Sequence, residues 1–311
     1  MEHRTLLLLK HLLYITLLLC STGCYYSKTH TTNDVPHAHT PTSTTAQALA
    51  YLDSVGTLPK SEVWPNVNPV LFIKNVRRNV GNPELLYQGI ATNFCSYAAL
   101  SYVMLCNDPL GYTRLIVQLY KQGHARYGRL RLVASMPIEK YAGTLQLKGR
   151  MDIAPADQLW FLTMIDNFKG YLNLVDLKYD PGNENTLYAA TNFAKFNGMA
   201  RNFLSYKVTA MGSDLIHPSN KYIVETVQEL QKKGEVVLFF DHERAYKRSN
   251  LKFAQLHMPT HFIVVKRLEH TDGDGNDITI RYWDYGGETE QTMPLLKFRN
   301  IVYGITLLEK K

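Results

Sequence analysis

The sequence predicts an α+β fold, in which a helix packs on an antiparallel sheet. Apolar and small residues recur at helical spacing from residue 95 to residue 106. Residues 221–308 then run in the order helix, strand, hairpin, which predicts an antiparallel sheet with helices to one side. Together with the absence of an internal repeat, these two patterns define the expected fold class.

The composition is that of a globular protein. The chain has 311 residues, of which 45% are hydrophobic and 20% charged, enough for one large core or two smaller ones. The formal net charge is +7, but the sequence has no dense run of Lys and Arg. We therefore expect no nucleic-acid partner.

Residues 1–23 have the pattern of a secretory signal. Arg4 and Lys10 make the start positive, and an apolar run from Leu12 to Leu19 follows. This run is too short for a transmembrane helix, because about 20 apolar residues are needed to cross a bilayer.

The end of this segment, Ser21-Thr22-Gly23-Cys24, resembles a bacterial lipobox, in which a small residue precedes a cysteine that becomes lipidated. The resemblance implies a lipid anchor at Cys24 and a place in the bacterial cell envelope. No acidic residue follows Cys24, which favours the outer membrane. The alternative is ordinary signal cleavage nearby.

A flexible tether is predicted for residues 24–48, which are rich in Thr, Ser and His. His30, His37 and His39 could take up a metal, but a polar linker is the preferred interpretation, so no metal site is predicted. The remaining residues, 49–311, form one predicted domain with a helical insertion at 110–215.

The first part of this domain predicts helices separated by loops. Residues 47–55 predict a helix, and the proline-rich residues 56–87 predict loops, with Val70–Ile73 as a short apolar strand or buried turn. The helix that begins at Cys95 should end before Pro109, because proline cannot continue it. Further helices are predicted at 110–123 and 157–174, whereas 126–134 and 186–199 have no clear pattern.

The last part is more regular. A predicted amphipathic helix, 221–233, ends at Gly234, a typical C-terminal stop. Predicted strands follow at 235–240, 261–268, 278–283 and 302–308. The segment between the second and third strands, 272–277, faintly resembles a calcium loop but lacks the distal glutamate, so we predict a hairpin turn.

Cys95 is the strongest candidate nucleophile. It lies at the predicted start of a helix, with Asn93 as a possible cap. The positive end of the helix dipole favours the thiolate, which is the nucleophilic form. The alternative is a small core residue. Cys106 lies eleven residues later on the same helix, about 16 Å away at 1.5 Å per residue, too far for a disulfide. It is expected to be a core residue.

Two further residues complete a possible catalytic triad. His261 opens one predicted strand and Asp284 ends the next, so pairing through the 272–277 hairpin places both at the same sheet edge. Asp284 could then orient the imidazole, which would serve Cys95. The alternatives are that His257 is the functional histidine, that His261 has no role, or that Asp284 caps the following turn.

The order of these residues resembles papain-like cysteine peptidases, including the bacterial group related to double-glycine peptidases. The resemblance rests on Gln88…Cys95-Ser-Tyr-Ala-Ala-Leu, His261-Phe-Ile-Val-Val and Tyr-Trp-Asp284-Tyr-Gly. It implies a papain-like fold and a Cys95–His261–Asp284 triad without a metal or organic cofactor. A transglutaminase-like acyl transferase has the same residue order.

In this family a glutamine six residues before the cysteine helps to form the oxyanion hole, together with the cysteine's backbone N–H. Here Gln88 lies seven residues before Cys95. The resemblance therefore implies that Gln88 fills this role through a loop one residue longer, or that Asn93 or Thr92 replaces it, or that the hole is incomplete.

The sequence thus predicts a secreted, lipid-anchored cysteine peptidase or amidase. Cys95 would attack the carbonyl of an amide bond, and His261 would protonate the leaving amine. The expected partners are a peptide or protein substrate and the membrane. The rival hypothesis is an inactive papain-like lipoprotein that binds a partner at the cell envelope.

Overall fold

The structure is a computed structural model that describes residues 41–128, 130–145, 153–168, 179–204, 206–218, 220–245, 261–271 and 275–310. The helices in these ranges are α1 (Thr45–Val55), α2 (Pro69–Gly81), α3 (Cys95–Asn107), α4 (Pro109–Gln122), α5 (Met136–Tyr141), α6 (Pro155–Phe168), α7 (Phe193–Phe203), α8 (Ile223–Gln231), α9 (His242–Ala245) and α10 (Leu295–Ile301). The strands are β1 (His124–Tyr127), β2 (Leu130–Val133), β3 (Lys207–Gly212), β4 (Glu235–Phe240), β5 (His261–His270), β6 (Asp277–Asp284), β7 (Gly287–Pro294) and β8 (Val302–Glu309). None of these helices is long and apolar enough to cross a bilayer.

The fold is α+β, as predicted. Its main sheet has the order β3-β8-β4-β5-β6-β7, and every neighbouring pair is antiparallel. β1 and β2 form a separate hairpin. The closing strand predicted at 302–308 is confirmed, but β8 lies inside the sheet, between β3 and β4.

Helices cover both faces of the sheet, so the prediction of helices to one side was wrong. Because side chains alternate along a strand, Val237 and Phe239 of β4 enter the larger core, whereas Val236 and Leu238 enter a second one. The larger core also contains α3 and α7, and the second contains α8 and α10. Burial on both faces explains why the inner strands are continuously apolar.

The helix α3 lies within the larger core. Almost all its residues are buried, from Cys95 to Asn107, as expected of a helix that is apolar all round. Tyr102 stacks on Trp283 of β6 with ring centroids 4.3 Å apart, and Trp283 Nε1 donates to the carbonyl of Glu84. These contacts fix α3 against the strand that ends at Asp284.

The N-terminal side of the domain is attached at the far end of α3. The Thr42 N–H donates to the carbonyl of Asn107 at 2.7 Å, and the Ser43 hydroxyl donates to Asp108 Oδ1 at 2.5 Å. The next helix, α1, begins with a capping box formed by Thr44 and Gln47. The last four residues assigned to the tether, 45–48, therefore belong to α1.

The segment 56–87, predicted as loops, contains the helix α2, so that prediction was wrong for Pro69–Gly81. Val70–Ile73, predicted as a strand or buried turn, lies in this helix, where the Asn68 side chain caps the helix and Pro69 occupies its first position. Strand β7 was not predicted, because it lies at the sheet edge and has a polar sequence, Gly-Glu-Thr-Glu-Gln-Thr-Met-Pro.

Most other predicted elements are present with boundaries shifted by a few residues: α1, α3, α4, α8, β4, β5 and β6. The helix predicted at 157–174 is found as α6, and residues 169–174 lie outside the described ranges. Of the two segments without a clear pattern, 126–134 contains most of the β1–β2 hairpin, and 186–199 contains the start of α7. Part of the predicted 272–277 turn is also outside the described ranges.

Candidate active site

His261 and Asp284 meet at one end of the main sheet. His261 is the first residue of β5 and Asp284 is the last residue of β6, and the antiparallel pairing of these strands brings the two ends together. His261 Nε2 lies 3.3 Å from Asp284 Oδ2, in a hydrogen bond. The side-by-side arrangement predicted from the hairpin is therefore present.

Cys95 joins this pair from the start of a helix. It is the first residue of α3, and its thiol is within hydrogen-bonding reach of the His261 imidazole. Cys95, His261 and Asp284 are thus brought together from three separate elements. All three are nearly closed to solvent, with exposed fractions of 8%, 2% and 4%.

The imidazole of His261 is held in its charged form. Burial by itself lowers the pKa of His261, but hydrogen bonds and charges from Asp284 and Cys95 outweigh it and raise the pKa to about 9. A charged imidazole within reach of a thiol is an arrangement found where cysteine acts as a nucleophile.

Asp284 is itself held by a second contact. The Thr289 hydroxyl on β7 donates to Asp284 Oδ1 at 3.1 Å, while Oδ2 faces His261. Both carboxylate oxygens are therefore occupied, which fixes the plane of the carboxylate. Thr289 was missed in the sequence because the strand that carries it gave no apolar signal.

The turn after Asp284 contributes a residue that was also missed. Tyr285 and Gly286 form a two-residue hairpin loop with φ of 43° and 76°, closed by the Asp284–Gly287 pair. The Tyr285 ring stacks on the His261 imidazole, with centroids 4.7 Å apart and an interplanar angle of 10°. Its hydroxyl lies 3.3 Å from His261 Nδ1.

Another histidine borders the site. His242 begins the short helix after β4, and its ring centroid is 4.9 Å from that of His261. Phe240, the last residue of β4, meets the same imidazole edge to face at 5.6 Å. The imidazole of His261 is therefore enclosed by rings as well as by its hydrogen-bonding partners.

The loop before Cys95 was expected to supply the oxyanion hole. Gln88 is buried, and its Oε1 has no hydrogen-bond partner within the described part of the chain. The Thr92 hydroxyl donates to the carbonyls of Gln88 and Gly89, which closes the loop in a turn. Gly89 has φ of +88°, a conformation that favours glycine.

Asn93 does not cap α3, so that prediction was wrong. Phe94 occupies the cap position, where no side chain from the described residues makes a capping hydrogen bond. The Asn93 side chain donates instead to the carbonyl of Thr186, and its backbone N–H donates to that of Glu184. Helix N-termini without a side-chain cap present free backbone N–H donors, which suits an oxyanion near Cys95.

Cys106 has a different environment. It packs against the larger core near the end of α3, and burial raises the pKa of its thiol to about 12. It is therefore a poor nucleophile at neutral pH. Its position agrees with the expected core role.

The remaining predicted residues, Cys24, His30, His37, His39 and His257, lie outside the described ranges. Among the residues that the structure describes, no group of three or more His, Cys, Asp or Glu side chains could hold a metal ion. No protein-family model matches the chain, and no curated protein matches it significantly.

Proposed function

We propose that the protein is a papain-like cysteine hydrolase that cleaves amide bonds in a peptide or protein. The observation that carries the proposal is the position of His261, which contacts both Cys95 and Asp284. A nucleophile, a proton carrier and an orienting carboxylate in this geometry are the requirements of cysteine catalysis.

In the first half of the reaction, the Cys95 thiolate attacks the substrate carbonyl and a C–S bond forms. The negative charge moves to the carbonyl oxygen, where the Cys95 backbone N–H and the Gln88 side-chain amide would stabilise it. The C–N bond then breaks, and the His261 imidazolium gives its proton to the leaving amine. The product of this step is a thioester with Cys95.

In the second half, His261 is neutral and takes a proton from water. The resulting hydroxide adds to the thioester carbonyl, and the C–S bond breaks to release the acid. The electron pair returns to Cys95 as thiolate, while His261 is again protonated. Asp284 keeps the imidazole oriented and stabilises its positive charge through the 3.3 Å hydrogen bond.

The architecture also supports the finer, papain-like assignment. The nucleophile lies at the first position of a helix buried against an antiparallel sheet, and the histidine and aspartate lie on neighbouring strands of that sheet. The chain order Cys, His, Asp agrees with the family that the sequence resembles.

The proposal predicts fast alkylation of Cys95 by iodoacetamide at low pH. In the full chain, labelling should persist well below pH 7, and His261→Ala should slow it at pH 6 by about 10²-fold, because an ordinary thiol is then almost fully protonated. The measurement is the second-order rate of alkylation at Cys95 between pH 5 and pH 9, read by peptide mass spectrometry.

The matched control is Cys106→Ser, which removes the inert thiol and should leave the rate at Cys95 unchanged. Slow labelling with the pH profile of an ordinary thiol, equal in the parent chain and in His261→Ala, would contradict the proposed hydrolase.

A second candidate function is a non-catalytic binding protein on the same scaffold. One observation favours it: the triad residues are at most 8% exposed. A hydrolase must admit a peptide, so we expect a bulky fluorescent maleimide to label Cys95 as well as iodoacetamide does. Labelling by the small reagent alone would support the binding protein.

We also propose that Cys24 carries a lipid anchor at the bacterial cell envelope, because Gly23-Cys24 follows a charged start and an apolar run. In bacteria grown with an alkyne fatty acid, the full chain should take up the label. Cys24→Ala should lose it, and Cys20→Ala should keep it. Equal labelling of both variants would refute the assignment of Cys24.

A further inference from the structure

Tyr285 occupies a backbone conformation that its side chain disfavours. A two-residue hairpin loop with positive φ at both positions is normally formed by Asn-Gly or Gly-Gly. Gly286 fits this rule with φ of +76°, but Tyr285 has φ of +43°. A large residue retained against local preference indicates a role beyond the turn.

The contact of Tyr285 with His261 suggests what that role is. The ring centroids are 4.7 Å apart and the rings are within 10° of parallel, so the phenol ring covers one face of the imidazole. The hydroxyl consequently approaches Nδ1 from above the ring plane. Asp284 remains bound at Nε2.

We propose that Tyr285 is a positioning residue, whose ring holds the His261 imidazolium in the plane of Cys95 and Asp284 and stabilises its charge by cation–π stacking. This proposal rests on the proposed hydrolase function. An aromatic face attracts a cation, and the attraction is larger where water is excluded, as it is around this buried imidazole.

Other groups also act on the charge of His261. Cys95 on α3 and Asp284 on β6 favour the imidazolium, whereas His242 on α9 opposes it when protonated, because like charges repel. The Phe240 ring faces the imidazole edge to face. The test must therefore change the Tyr285 ring while it leaves these groups in place.

Three variants of the full chain make this test. Tyr285→Asn removes the ring but suits the positive φ of the turn, so the protein should fold and its Tm should not fall. Tyr285→Phe keeps the ring and removes the hydroxyl. The control Tyr222→Asn makes the same exchange at an exposed tyrosine in the cap position of α8, where asparagine is favourable.

Two readouts distinguish positioning from a structural role: the titration midpoint of His261 in NMR spectra of ¹³C-histidine-labelled protein, and the rate of Cys95 alkylation at pH 6. In Tyr285→Asn the midpoint should fall by about one pH unit, as expected for loss of a partly buried cation–π contact, and the alkylation rate should fall because the imidazole is no longer held in place beside Cys95. Tyr285→Phe should restore most of both, and Tyr222→Asn should change neither.

An unchanged midpoint and rate in Tyr285→Asn would overturn the proposal, as would equal losses in Tyr285→Phe and Tyr285→Asn. If Tyr285→Asn does not fold, Tyr285→Gly replaces it in the same comparison. Failure of the hydrolase proposal is seen separately, because alkylation of the parent chain would then not depend on His261.

Discussion

Replacing Asp157 with asparagine should remove a pH-dependent part of the folding stability. Asp157 is fully buried at the start of α6. It accepts hydrogen bonds from Asn75, from Asn79 at 2.6 Å and from Arg78 at 3.0 Å. Burial nevertheless raises the pKa of this carboxyl from 3.8 to about 6, because the three donors only partly replace water.

The sign and size of the effect follow from this pKa. The folded state binds the proton of Asp157 more tightly than the unfolded state does, so this group's contribution to stability is complete below pH 3.8 and is lost as the pH rises through about 6. A shift of about two units corresponds to about 3 kcal/mol at 1.36 kcal/mol per unit. Acidification from pH 7.5 to pH 4 should therefore add up to that amount to the free energy of unfolding.

Urea unfolding followed by circular dichroism at pH 7.5, 6, 5 and 4 measures this contribution as the difference between the parent chain and Asp157→Asn. The matched control is Asp53→Asn, since Asp53 pairs with Arg77 on the same helix as Arg78 but is 69% exposed. Its pH profile should follow that of the parent chain. If the free energy of unfolding changes with pH in the same way in the parent chain and in Asp157→Asn, the reasoning is refuted.

Two further predictions concern the core and the site. Trp283→Ala should lower the free energy of unfolding by about 3–5 kcal/mol, because it removes the buried indole with its stack on Tyr102 and its hydrogen bond to Glu84. Urea unfolding measures this change, and a loss below about 1 kcal/mol would contradict the prediction. The raised pKa of His261 gives stability that is complete below pH 6.5 and is lost as the pH rises through about 9. The same unfolding series from pH 6 to pH 10 should thus show a smaller loss for His261→Ala, and equal losses would argue against the charged imidazole.

The part of the site that depends on connectivity could be predicted from the sequence. Two strands joined by a hairpin must pair antiparallel, so the start of one lies beside the end of the other. This placed His261 next to Asp284 without any knowledge of the rest of the fold. The start of α3 at Cys95 likewise followed from local helical spacing.

The parts that depend on tertiary packing could not be predicted. The apolar run Val70–Ile73 suits a strand as well as a helix, and the structure selects the helix through the Asn68 cap and burial of Phe72 in the core. The stack of Tyr285 on His261 arises from a turn conformation that the residue type disfavours. A rule based on propensity excludes such a residue from the turn.

The attachment of Thr42 and Ser43 at the end of α3 has a consequence for orientation. Cys95 and Asn107 lie at opposite ends of this helix, about 18 Å apart at 1.5 Å per residue. The chain that leads back to Cys24 therefore departs from the end of the domain remote from the thiol. A lipid anchor at Cys24 would therefore be joined to the domain at the end opposite the reactive thiol.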